Sequence, residues 1–168
     1  KDAWDTAIRP AYATAGNSVQ EADFQEVTVD LNQYRRDDCL LIGLYRCEAQ
    51  CIQGYSVVLG DNNACYDRRL ILWKLSENSE TLNPAACVPQ GRIHCLSAEL
   101  MEQYRPDLEE NMVDQINVSL SGFWLKPTGQ LPAGAYGLGI LAVNRVNGTK
   151  LVNFSRQLLK IEPKKGWR

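Results

Sequence analysis

All six cysteines of this chain, Cys39, Cys47, Cys51, Cys65, Cys87 and Cys95, fall between positions 39 and 95, and none occurs in the first 38 or the last 73 residues. An even, clustered set predicts disulfides that brace a loop-rich region. Persistent disulfides in turn place a protein on the secretory route, in an extracellular, cell-surface or periplasmic setting. Many pairings are compatible with the sequence. Loop proximity favours Cys87 with Cys95 and leaves Cys39, Cys47, Cys51 and Cys65 to pair among themselves. Cys47-x-x-x-Cys51 with His94-Cys95 also offers zinc-ligand types, but C-x-x-C pairs are absent, and disulfides use every cysteine, so no metal is expected.

With 168 residues the chain can bury one hydrophobic core without help from the bridges. A content of 45% hydrophobic and 23% charged residues excludes a disordered tail and a fibrous repeat. The net charge of -2 is too small to draw in nucleic acid or anionic membrane over any distance. Apolar runs are too short to span a bilayer, and the chain reads as a soluble, mature or excised form with no transmembrane segment. Sequons at Asn117, Asn147 and Asn153 exceed chance. In a eukaryotic source they predict glycans on exposed surface, and in a bacterial one they are ordinary polar strand and turn residues.

Residues 1–22 lack strand alternation and predict an N-terminal arm, with a short helix near Trp4–Ala11 limited by Pro10, which packs on the body or reaches a neighbour. Residues 23–162 predict one β domain. Val27, Val29 and Leu31 alternate with Glu26, Thr28 and Asp30 as in a half-buried strand. Leu40 to Tyr45 is apolar on both faces, as in a central strand. Tyr55–Leu59 and Leu70–Leu75 predict two more strands on either side of the Asp61-Asn62-Asn63 turn. Residues 76–92, with Pro84 and Pro89, predict a surface loop pinned by Cys87. A helical insertion is expected over about 97–112, capped by Ser97 and interrupted at Pro106. Ile116, Val118, Leu120, Gly122 and Trp124 then alternate with Asn117, Ser119, Ser121 and Phe123, which places the second set, Phe123 included, on an outer face.

Leu131-Pro132-Ala133-Gly134-Ala135-Tyr136 runs into alternating Tyr136, Leu138, Ile140 and Ala142, and this spacing resembles the tyrosine corner of immunoglobulin-like and fibronectin-type sandwiches. The likeness covers residues 114–162. It implies a mainly β, immunoglobulin-like antiparallel β-sandwich in which the Tyr136 hydroxyl bonds to backbone a few residues upstream. The short helical insertion and the disulfide-braced loops are departures from that module. Asn147-Gly148 offers the two positive-φ residues of a type I′ hairpin turn. Val152, Phe154 and Leu158 break parity along the returning strand, so a bulge or sheet switch is expected near Arg156 and Gln157.

Catalytic patterns are thin. Asp61, Asn63 and Asp67 have calcium-loop spacing without the Gly and closing Glu of an EF-hand, and a polar hairpin is the simpler reading. His94 is the single histidine, and no G-x-S-x-G elbow accompanies it. Gly134, Gly137 and Gly139 lie within a strand pattern where they allow close packing rather than cradle phosphate. Asp37-Asp38 and Glu109-Glu110 are solvated faces. The tail at 163–168, with Lys164, Lys165, Trp167 and Arg168, reads as a basic solvated terminus. The expected function is therefore a non-enzymatic module with no cofactor, acting in protein–protein assembly or as a structural subunit through its sheet edges or its arm. A carbohydrate-binding or adhesion domain using exposed aromatics is the alternative, and a secreted inhibitor or enzyme built on the cysteine-rich loops is the third.

Overall fold

A computed structural model describes residues 18–75, 88–129 and 131–163. The expected arm helix near Trp4–Ala11, most of the 76–92 loop and the basic tail from Lys164 lie outside the described residues. Among those described, the strands in chain order are β1 (Gln20–Ala22), β2 (Gln25–Asp30), β3 (Arg35–Arg36), β4 (Leu40–Glu48), β5 (Cys51–Val58), β6 (Tyr66–Lys74), β7 (Arg92–Glu99), β8 (Gly122–Pro127), β9 (Gly134–Asn144), β10 (Lys150–Phe154) and β11 (Leu159–Ile161). One short helix, α1 (Pro106–Asn111), lies between β7 and β8, and no described helix is long and apolar enough to cross a membrane.

The strands form two sheets, one ordered β1-β8-β5-β4 and the other β2-β7-β6-β9-β10-β3, with β11 also paired to β9. The expectation of a purely antiparallel sandwich is corrected here. Both sheets are mixed, because β1 runs parallel to β8 and β3 parallel to β10.

Side-chain parity explains how the layers stack. Leu70 and Leu72 of β6, Leu138 and Ile140 of β9, and Leu40, Ile52 and Leu125 of the smaller sheet meet in one core with no exposed surface. Residues of the opposite parity, Ile71, Trp73, Cys95, Leu141 and Val152, form a second cluster on the far face of the larger sheet. Beyond the smaller sheet, Leu108 of α1 and Val118 close over Tyr55 and Val57 in a third. Each fully buried Leu or Ile contributes about 1.5–3 kcal/mol, so strands buried on both faces dominate the stability.

Close approach of the strands depends on glycine at two places. A Cβ on Gly54 would lie 2.0 Å from the Gly43 carbonyl oxygen, and one on Gly137 would lie 2.3 Å from the Trp73 indole that crosses it. Trp73 packs edge-on against Phe154 at 5.4 Å. Gly137 and Gly139 thus serve packing on the far face, since Phe154 lies over Gly139 as Trp73 does over Gly137.

Several expectations are overturned. Ser97 belongs to β7 rather than to a helix cap, and helix is confined to Pro106–Asn111, where Pro occupies the first turn that tolerates it. Val118–Leu120 is a 3-10 turn, and Asn117 is left-handed at φ 54°, so β8 begins only at Gly122. That interruption inverts the phase, burying Phe123 and Leu125 in the core while Trp124 is half-buried. Leu40–Tyr45 lies in β4, which is an edge strand, not a central one. Its two faces are covered because the smaller sheet has a layer on each side, and its edge carbonyls at Leu40 and Leu44 accept bonds from the Asn153 and Gln157 amides. The β9–β10 turn is a four-residue loop, 145–148, closed by Asn144 N–H on Thr149 O, and within it Gly148 alone has positive φ. The Asn144 side chain organises that loop by accepting from Val146 and Asn147 N–H, so no type I′ pair is needed. The break in parity near Arg156 is real: Phe154 pairs with Gly139 but Leu159 pairs with Tyr136, leaving four residues opposite two.

Candidate functional site

The cysteines, first in the sequence, are not cross-linked. Cys39, Cys47, Cys51, Cys65 and Cys95 are all free thiols, and Cys87 lies outside the described residues. Register explains part of this correction. Cys47 stands opposite Ile52 and Cys51 opposite Glu48 in the β4–β5 hairpin, so the two thiols point to opposite faces. Cys95 packs on the far face of the other sheet. Burial, the largest cause in each case, raises the Cys39, Cys47 and Cys95 thiols to about 11, which keeps them protonated and unreactive near neutral pH.

The other singled-out residues are dispersed. His94 Nδ1 lies 3.1 Å from Thr28 Oγ1 across the β2–β7 pair, on an exposed surface. Asp61 accepts from the Tyr66 hydroxyl at 2.6 Å, and Asp67 pairs with Arg145 at 2.8 Å, while Asn63 is buried, so the calcium-spaced trio does not converge. No group of three or more His, Cys, Asp or Glu among the described residues is placed to hold a metal. Asn117 and Asn147 are exposed, whereas the Asn153 amide is bonded to Leu40 O. Tyr136 is buried and its hydroxyl donates to Pro132 O at 2.6 Å, four residues upstream.

What sequence reasoning missed is a cleft of about 490 Å³ at one end of the sandwich, between the start of β6 and the segment entering β8. Arg68 lies in its wall, only 6% exposed. It shares parity with Leu70 and Leu72, so a charged residue at an inward strand position was the available signal. Asn63 receives it: Arg68 Nη2 donates to Asn63 Oδ1 at 2.7 Å and Nη1 to Asn63 O at 3.3 Å. Asn63 in turn accepts from Val58 N–H at 2.7 Å and donates to Val58 O at 3.1 Å, and its amide also reaches Ile116 O at 3.1 Å.

That network leaves Arg68 incompletely satisfied. Its Nε is buried with no acceptor, and Ser121 Oγ in the same wall is likewise buried without a partner. Burial, chiefly, lowers the guanidinium to about 10, although the Glu102 charge opposes that shift through space. Arg105 shows the contrast. It is equally buried, but both Nε and Nη2 engage the Asp107 carboxylate, and its guanidinium stacks 4.7 Å from the Tyr45 ring centre.

The cleft mouth mixes apolar groups with charges of both signs, among them the Asp67–Arg145 pair. Met101 is 61% exposed and Leu120 43%, and Glu99 and Glu102 stand beside them. The first described residues are fastened to the same rim. Gln20 Nε2 donates to Glu99 O at 2.7 Å, Met101 N–H donates to Gln20 Oε1 at 3.0 Å, and Gln103 Nε2 donates to Ser18 O at 2.6 Å.

Comparison of the chain with protein-family models, curated proteins and solved structures finds no match.

Proposed function

We propose that this chain is a non-enzymatic structural module that works by assembling with other protein chains, and that the end cleft is its contact surface. The observation that carries this reading is the pairing of exposed Met101 and Leu120 with a buried, incompletely bonded Arg68. Anchors of protein interfaces have this make-up, an apolar or Arg centre with a polar rim. The sheet edges support it less. β4 is capped by side chains, and β2 carries Glu26 and Asp30, charges of the kind that discourage strand addition.

The finer fold reading, an immunoglobulin-like sandwich, rests on the Tyr136 to Pro132 bond. Glycan binding has a narrower basis, because Trp73 and Phe123 are buried and Trp124 half-buried. Sedimentation of the full chain over a wide concentration range tests assembly. A rise in mass with concentration is expected. A strictly monomeric chain that also binds glycans on an array would replace this reading with the alternative.

A further inference from the structure

The geometry points to Asn147 as a site of spontaneous covalent modification, where the Gly148 backbone nitrogen closes on the Asn147 carboxamide and converts that position to aspartate and isoaspartate. The inference needs no partner chain and stands apart from the assembly reading.

Ring closure requires a backbone nitrogen that no side chain shields and a carboxamide folded back toward it. Asn147 is the only asparagine in the chain followed by glycine. A Cβ built on Gly148 would meet nothing within 4 Å outside its two chain neighbours, and its φ of 77° is one that other residues rarely adopt. The space around the nitrogen is therefore open. The carboxamide is already turned toward it, because Thr149 N–H donates to Asn147 Oδ1 at 2.9 Å in an Asx turn that lays the side chain along the Gly148 peptide. That donor also polarises the carboxamide carbonyl, and it stabilises the charge that gathers on Oδ1 when Cγ is attacked.

The other two sequon asparagines lack both conditions. Asn117 precedes Val118 and Asn153 precedes Phe154, so a side chain stands beside the attacking nitrogen. Their carboxamides are also committed, since Asn117 Nδ2 donates to Asn62 Oδ1 at 2.8 Å and Asn153 Nδ2 to Leu40 O at 2.9 Å.

One contact opposes the reaction. Gly148 N–H donates to Asn144 O at 2.9 Å, and that bond has to open first. Residues 145–148 are exposed, and an exposed loop opens locally without unfolding the sheet. Gly148 N then gives its proton to solvent and bonds to Cγ, while the Cγ–Nδ2 bond breaks and Nδ2 leaves as ammonia. Holding the two groups adjacent makes the step intramolecular, which favours it over attack by water on the amide. Water next opens the cyclic imide without any change of oxidation state. Cleavage at Cγ gives aspartate, and cleavage at the main-chain carbonyl gives isoaspartate. Either product adds a negative charge close in sequence to Arg145, whose guanidinium Asp67 holds at 2.8 Å on the mouth of the end cleft.

The full chain held at mildly alkaline pH and mapped over time by peptide mass spectrometry, with isoaspartate counted by its enzymatic methylation, tests the assignment. Asn147 should convert before every other asparagine, and isoaspartate should accumulate there beside aspartate. Gly148→Ala, a substitution that the open space around the loop admits, should lose the conversion over the same interval. Retention of the Asn147 amide, whether or not another asparagine converts, would overturn the site. Conversion to aspartate alone, or at an undiminished rate in Gly148→Ala, would show direct hydrolysis by water and overturn the cyclic route.

Discussion

Asn63 and Arg68 carry much of what makes the interior of this sandwich unusual. One asparagine closes the β5–β6 connection by bonding both backbone groups of Val58, and it also receives the guanidinium that interrupts the core parity row of β6. Asn63→Ala strands the Val58 N–H and the Arg68 Nη2 donor at once, while the Nη1 bond to the residue 63 carbonyl survives. Unmet buried groups cost about 1–3 kcal/mol each, so a loss of about 3 kcal/mol or more is expected in urea unfolding. Tyr136→Phe removes a single bond, to Pro132 O, and should cost only about 1 kcal/mol in the same assay. The thiols set a pH limit. Cys39, Cys47 and Cys95 move from 9.0 to about 11 because burial favours the protonated form. Between those values the unfolded chain releases protons that the native state keeps. Their contribution is therefore complete below pH 9 and lost as pH rises through about 11. Arg68, lowered to about 10, acts in the opposite direction at the upper end of that window. Urea midpoints should fall across it, and Cys95→Ala should flatten the fall; an unchanged slope in that variant would show that the thiol does not titrate there.

Glycine positions separate the elements by how tightly their backbones approach. Gly54→Ala would place a methyl 2.0 Å from the Gly43 carbonyl, where only strand separation relieves the contact, so loss of the folded state is expected by circular dichroism. Gly148→Ala meets open space at φ 77° and should cost only about 1–2 kcal/mol, the penalty of a left-handed non-glycine residue. Much of the ladder from β4 to β6, and β9, was legible because apolar residues there mark the strands. β7 was not. Both its faces are buried, with Leu96 and Ala98 toward the core and Cys95 and Ser97 toward the far face. Its alternation is therefore lost, and the spacing of Leu96, Leu100 and Tyr104 imitates a helix. The 116–121 stretch misled for a different reason, since the left-handed Asn117 reverses the phase that alternation assumes. The cleft was readable in one residue only. Arg68 breaks the apolar parity of β6 and its bonded partner Asn63 lies only five residues away, but Met101 and Ser121, which complete the cleft, come from distant segments that no local pattern brings together.

At the scale of the whole molecule, the layers predict an order of stability. β6 lies between β7 and β9 and is buried on both faces, whereas β1 has three residues, pairs only with β8 and sits at a sheet edge. Amides of β6 should exchange with solvent only through global unfolding, and those of β1 through local opening. The same ends of the fold differ in what assembly would do to them. Contact at the end cleft covers the 99–103 and 118–121 segments and the rim to which Ser18 and Gln20 are fastened. Hydrogen exchange recorded at low and high protein concentration should therefore show concentration-dependent protection of 99–103 and 118–121, with little change along β2. Protection that instead follows β2 from Gln25 to Asp30 would identify an assembly made by strand addition, because only a partner strand there would supply acceptors to its outward amides. The two outcomes differ in the residues protected, so one experiment decides between a module that joins its neighbours through a pocket and one that joins them through a sheet edge.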